Sequence, residues 1–462
     1  MTIHELINTR EVFFDGASGT LLQSAGLPSG APPDGWNLER AEAIRAMHRQ
    51  YLEAGSDVLS TVTFRAGTFP DGGTEEIIAA AVKNCREAIA EYRADTDDKR
   101  PVFVALDVGP SGNMLGMPGG PGFAEAYEYF RPQVVAGEKA GVDMILFETF
   151  TDVYELKAAV LAATEHTALP VLCTVTFEEN GRTLMGTDAE TAALLFDGLG
   201  LTAFGANCSL GPAEMLPMIR NIARYATAPV MAQPNAGLPR IEDGRAVYDI
   251  TPAEFAAAVA DIAGAGARIV GGCCGTSPEY IRALTAALSP ESSTPAQRDA
   301  PAPPYPSVCA TAAHLSIAPG SGFTMGVLKP EGTDDTRSLS SAVKKLAKET
   351  DLVALDLTGL TPGDAARLSA TISMNARVPL AFRSTDAAAL EAAVRVCRGK
   401  PAVILPALDT EFFISGIETA KKYGTAVIIE RGDADEAAAI IRARGLGTDR
   451  VITIEDGRLS PL

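Results

Sequence analysis

Short apolar runs recur between residues 11 and 272, each separated from the next by a longer, largely alanine-rich stretch. They are Glu11–Gly16, Asp57–Phe64, Val102–Gly109, Met144–Phe150, Val171–Phe177, Ala203–Leu210, Val230–Asn235 and Arg268–Gly272. Most of the intervening segments are long enough to hold a crossover helix, which parallel strands require. Runs such as Met144-Ile145-Leu146-Phe147 are apolar throughout, as in a sheet covered on both faces. Eight such units predict a (β/α)8 barrel, with a doubly wound open sheet as the alternative. Glu53–Asp57, Lys139–Asp143 and Gly264–Arg268 echo one another. Each places a glycine (Gly55, Gly141 or Gly266) between helix and strand, where a left-handed C-cap is needed.

A chain of 462 residues exceeds one ordinary domain. Residues 289–307 are dense in Pro, Ser and Ala and read as a linker. After them, strand-like runs return at Leu352–Leu357, Pro379–Phe382, Ala402–Leu405, Ala426–Glu430 and Val451–Ile454. That region is too short for a second barrel of roughly 250 residues. The expected organisation is a barrel over 1–288, a linker over 289–307, and a smaller α/β domain over 308–462. The last should hold five or six strands in an open or half-barrel sheet.

A net charge of −19 argues against nucleic acid or an anionic membrane as partner. The first residues, MTIHELINTR, lack the apolar core of a secretory signal. No apolar run reaches the ~18 residues of a membrane span. Seven cysteines without disulfide-framework spacing fit a reducing, cytoplasmic setting.

The functional groups of a barrel gather at the C-terminal ends of its strands. Here those ends read Asp15-Gly16-Ala17, Thr61-Val62-Thr63-Phe64, Asp107-Val108-Gly109, Glu148-Thr149, Thr176-Phe177-Glu178, Asn207-Cys208, Gln233-Pro234-Asn235 and Cys273-Cys274. Thiols at two strand ends suggest zinc bound by Cys208, Cys273 and Cys274 with its fourth position open. A substrate thiol filling that position would lose its proton. Small buried core thiols and a vicinal disulfide are the alternatives. His48, in the helical stretch Glu42–Tyr51, is expected to be solvated and without a catalytic role.

DGASGT, LFETFTD, GANCSLGP, QPNAG and GGCCGT, in that order, resemble the homocysteine S-methyltransferase family over roughly residues 10–288. The resemblance implies a zinc-dependent (β/α)8 barrel with Cys208, Cys273 and Cys274 as ligands. It also implies that the amino-acid part of homocysteine lies near Asp15, Gly16 and Glu148. Such a zwitterion needs a carboxylate for its ammonium, from Glu148 or Asp15. Its own carboxylate needs N–H donors, from a loop such as Gly16-Ala17. Asn207 and Asn235 are candidates for orienting ligands or substrate, with purely structural roles as the alternative. Thr61-Val62-Thr63-Phe64 stands where the family often has Asn-Thr-Phe, so an amide is missing.

No Asp-x-His-x-x-Gly motif, the mark of a cobalamin-binding module, surrounds His4, His48, His166 or His314. The methyl group is therefore expected from a separate corrinoid protein or from free methylcobalamin. An S-methylmethionine- or betaine-type donor is an alternative, as is another thiol or selenol acceptor. A non-catalytic docking subunit is the alternative of a different class. Val378–Glu430 resembles part of the pterin-binding barrel of methionine synthases. Arg383 replaces an acidic residue there, and Ala402–Leu405 lacks the expected amide, so a degenerate domain without folate binding is expected. Arg383 and the pair Lys421-Lys422 read as solvated surface.

Overall fold

Each apolar run of the first region becomes a strand, and all but Met144–Phe150 are trimmed at one or both ends. In a computed structural model these are β1 (Val12–Phe13), β2 (Val58–Ser60), β3 (Phe103–Val108), β4 (Met144–Phe150), β5 (Val171–Val175), β6 (Ala203–Asn207) and β7 (Val230–Gln233). A hairpin of β8 (Arg240–Glu242) and β9 (Arg245–Val247) follows, then β10 (Ala267–Val270). The structure describes residues 1–28, 30–69, 73–117, 119–238, 240–242, 245–288, 305–330, 336–405, 411–430, 434–455 and 458–462. The expected linker lies outside the described residues except for 305–307.

The sheet runs β1-β10-β7-β6-β5-β4-β3-β2, parallel throughout. A parallel bridge between Phe14 and Val58 joins its two edges, so the ring closes as an eight-stranded barrel. Residues beyond the strand ends leave the ladder and form the mouth. The three expected cap glycines all take positive φ: 104° at Gly55, 86° at Gly141 and 119° at Gly266. Val12, Phe14, Val58, Ala105, Leu146, Leu172, Met231 and Ile269 pack into one core. The helix Ile3–Thr9 adds Ile3, Leu6 and Ile7 to it.

His48 corrects the sequence reading, for it is wholly buried rather than solvated. It lies on the buried stripe Ile44, Met47, His48, Tyr51, Leu52 of the helix Ala41–Ala54, with Nε2 3.3 Å from Cys85 Sγ.

Contacts divide the chain into two units: Met1–Met185 with Leu201–Pro301, and Gly186–Gly200 with Ala302–Leu462. The second contains the hairpin β11 (Ser307–Cys309) and β12 (His314–Ser316). Its main sheet is β13 (Met325–Leu328), β14 (Leu352–Asp356), β15 (Leu380–Arg383), β16 (Ala402–Leu405), β17 (Ala426–Ile429), β18 (Val451–Glu455) and β19 (Arg458–Pro461). The order is sequential, parallel up to β18, with β19 antiparallel. The sequence hid the two edge strands: β13 is partly exposed, and β19 carries Arg458 and Pro461. Arg383 is not loose surface either. It lies 3.1 Å from Asp356 and 2.7 Å from Glu430, both carboxylates. Lys421 and Lys422 are at the surface beside Glu418 and Glu391. Within the same unit, buried Lys400 binds the last carbonyls of the helix Ala189–Phe196, 3.1 Å from Leu194 O and 3.2 Å from Asp197 O. That is a favourable place for a cation.

Candidate active site

Beyond the barrel's strand ends the Sγ atoms of Cys208, Cys273 and Cys274 come within 4.8 Å of one another. Cys208 and Cys274 are 3.9 Å apart, and no disulfide joins any of them. The backbone fixes this meeting. Cys208 N–H donates to Gln233 O at 3.1 Å, Cys273 N–H to Pro234 O at 2.9 Å, and Ala236 N–H to Cys274 O at 3.0 Å. Cys208 (φ 61°) and Ser209 (φ 56°) are left-handed in succession, a turn that side-chain-bearing residues rarely adopt. Gly275 (φ 80°) must be glycine, because a Cβ there would stand 2.3 Å from the Tyr248 ring.

Zn–S bonds of about 2.3 Å in a tetrahedron place sulfurs about 3.8 Å apart. The spacing here therefore fits zinc, with one position left for a substrate. Neighbouring thiols cannot all ionise together. Hydrogen bonds from Cys208 and Cys273 hold Cys274 down to about 3, and its neighbours push Cys273 up.

Carboxyl groups occupy the adjoining strand ends. Asp15 is buried and accepts Ser60 N–H (2.8 Å) and Oγ–H (2.9 Å). Burial raises it to about 7. Burial, then the charges of Asp15 and Cys274, raises Glu148 to about 8. Asp107 lies against Glu148, pushed well up by burial and by that neighbour, and its Oδ1 has no hydrogen-bond partner. Gly16 permits a close approach: a Cβ there would meet Thr276 Oγ1 at 2.6 Å. Thr276 accepts Ala17 N–H at 3.1 Å and donates to Cys273 O at 2.7 Å, tying the Asp15–Ala17 loop to the thiol turn. The Ala17 N–H is thus already engaged.

Asn207 is wholly buried between the two clusters and bonds to Glu148 and Thr149. Asn235 is buried with its Oδ1 unpartnered. Thr61 and Thr63 hold the backbone of Asp107, at 3.0 Å to its N–H and 2.7 Å to its carbonyl. Sequence reasoning did not assign Asp107, Thr276 or Tyr248 to the site. Asp107 carried a signal, an acid closing an apolar run. Tyr248 gave none of its own, although Asp243-Gly244 marks the hairpin before it in the sequence.

The sequence profile of the homocysteine S-methyltransferase family matches residues 12–288. This chain belongs to that family. A methionine synthase of Mycobacterium tuberculosis (strain ATCC 25618 / H37Rv) is 35% identical over 307 residues, covering 62% of this chain and 25% of the relative. A methionine synthase of Mycobacterium leprae (strain TN) is 33% identical over the same shares. The match thus spans about a quarter of the length of these relatives. Among solved structures, the metallated homocysteine methyltransferase MmuM of Escherichia coli gives a TM-score of 0.54 at 23% identity, covering 61% of this chain and 98% of that one. Its apo form gives 0.52 at 24% identity, covering 62% and 98%. The likeness to MmuM extends the family assignment to the barrel fold.

Proposed function

We propose that this chain methylates homocysteine to methionine at a zinc ion held by Cys208, Cys273 and Cys274. The observation that carries the reading is the three-thiol cluster at the mouth of a homocysteine S-methyltransferase barrel. Zinc, when bound, supplies a positive centre on which a thiol ionises near neutral pH. No side chain then needs to act as general base. Glu148, supported by Asp107, and Asp15 receive the ammonium beside the Gly16-Ala17 loop. The barrel holds the acceptor sulfur in line with the methyl carbon. The new C–S bond forms as the donor's bond to methyl breaks, and the bonding pair leaves with the donor.

The donor in this reading is a separate methyl-corrinoid protein or free methylcobalamin. It is supported by the methionine synthase relatives that this chain matches. Residues 1–288 form the acceptor domain, 289–307 link it onward, and 308–462 form a pterin-barrel relative that does not bind folate. Two features support the last point: Arg383 is engaged by Asp356 and Glu430, and Ala402–Leu405 offers only buried apolar side chains. No helix among the described residues is long and apolar enough to cross a membrane, and cysteines without disulfide-framework spacing suit the cytoplasm.

The test mixes zinc-loaded protein and homocysteine with methylcobalamin, S-methylmethionine or betaine, with Cys273→Ala as control. Methionine formed from methylcobalamin and abolished in the variant supports the reading. Methionine formed only from S-methylmethionine or betaine overturns the donor assignment. No methionine from any donor, with or without a methyl-corrinoid protein, overturns the activity.

A further inference from the structure

Asn207 immediately precedes the candidate ligand Cys208, yet its side chain is wholly buried and faces its neighbours rather than open space. Its Nδ2 lies 2.8 Å from Thr149 Oγ1, 3.3 Å from Glu148 Oε2 and 4.0 Å from Cys273 Sγ. Its Oδ1 accepts Thr149 N–H at 2.9 Å and Thr174 Oγ1–H at 2.8 Å. One planar amide therefore touches both a carboxylate and a thiol of the cluster. It also grips Thr149 twice. Thr149 has φ 64°, a left-handed conformation that a β-branched residue strongly disfavours. That kink comes directly after Glu148 and turns the end of β4.

We propose that Asn207 is the positioning residue that sets the length of the acceptor thiol. The inference rests on the acceptor reading above. A substrate that places its ammonium at Glu148 and its sulfur at the thiol cluster must span the gap that Asn207 fixes. In this proposal homocysteine matches that gap, and cysteine, one methylene shorter, would reach one end at the expense of the other. Because the Asn207 amide is saturated by protein groups, it acts on substrate choice through Glu148 and Cys273 and not by touching the ligand. The competing account is that Asn207 serves only to hold the disfavoured Thr149 in place. Thr149→Gly separates the two, since glycine takes φ 64° without strain.

The experiment uses full-length cobalt(II)-loaded protein titrated with homocysteine, cysteine and 4-mercaptobutyrate, which lacks the ammonium. Thiolate-to-cobalt absorption reports binding. Wild type and Thr149→Gly should prefer homocysteine over cysteine by about 10- to 200-fold, the range a single methylene can supply. In Asn207→Ala and in Asn207→Ala/Thr149→Gly, each still binding one cobalt per chain, the preference should fall to about threefold or less. The response to 4-mercaptobutyrate should not change. Asn207→Asp keeps the acceptor oxygen but removes the donors to Glu148 and Cys273, and it should lose the preference as well if the alanine variants fail to fold. A wild-type preference in Asn207→Ala/Thr149→Gly would overturn the inference. A wild-type protein that binds cobalt but does not respond to homocysteine would overturn the acceptor reading, before any variant is compared.

Discussion

At the barrel mouth, Asp15, Asp107 and Glu148 crowd together with no salt bridge to a basic side chain among the described residues, and burial and mutual repulsion favour their neutral forms. At the matching strand ends of the second sheet, Arg383 is held between Asp356 and Glu430. The backbones differ in the same sense. Thr149, Cys208 and Ser209 are left-handed at the barrel mouth, and among the described residues of the second sheet only glycines take positive φ. Both sheets end parallel strands on one rim, the usual place for a ligand in an α/β fold. In the barrel the polar groups lack opposite charges and are available to a cation or metal. In the second sheet they already satisfy one another, which leaves little for a ligand to gain.

The sharpest way to break this comparison is to remove a thiol. Cys273→Ala should lose bound zinc and cut methyl transfer by well over the 10- to 100-fold typical of an outer-shell partner. Metal content by elemental analysis, read beside turnover, checks it. A second test asks whether the barrel elsewhere tolerates buried groups without counter-charges. Burial lowers His48 to about 4, below its ordinary 6.5. The unfolded chain therefore binds a proton that the folded chain refuses. The stability involved is intact above pH 6.5 and is lost as pH falls toward 4, by about 3 kcal/mol. Denaturant melts of wild type and His48→Leu across that window should diverge by this amount, and parallel curves would contradict it.

Smaller is Glu148→Gln, which removes one charge-assisted contact to the substrate. It should raise KM for homocysteine roughly 10- to 100-fold, with little effect on binding of 4-mercaptobutyrate. An equal change for both thiols would mean that Glu148 supports the metal centre instead. The smallest effect belongs to the second sheet. Arg383→Met should cost about 1 kcal/mol, as expected for a partly exposed ion pair, and leave methyl transfer unchanged. A loss of turnover there would show that the second rim takes part in the chemistry.

The barrel was legible because its determinants are local: apolar runs, and glycines such as Gly55 that stop a helix. The thiol cluster was legible because Cys273-Cys274 is a rare dipeptide at a strand end. The pairing of Asp107 with Glu148 was not, because it depends on the register between the neighbouring strands β3 and β4, which their sequences do not state. Nor was the kink at Thr149, since nothing in Glu148-Thr149-Phe150 calls for a left-handed residue; the Asn207 amide holds it there. The burial of His48 could have been read from Ile44, Met47, Tyr51 and Leu52, whose helical spacing places it on the inner stripe. The edge strand Arg458–Pro461 escaped because its composition resembles a loop.

The seam between β1 and β2 has a consequence for how the protein is made. Their edges meet through the Phe14–Val58 bridge, and the other neighbour of β1 is β10, the last strand of the ring to leave the ribosome. Translation outpaces neither strand alone but separates them in time, at ~5–20 residues per second. Until Gly272 N–H reaches Asp15 O, the loop that carries Asp15 and the turn that carries Cys273 and Cys274 have not met. A nascent or prematurely ended chain displays Cys208 without its partners. On the zinc reading it should capture metal poorly, because the three thiols meet only in the finished ring.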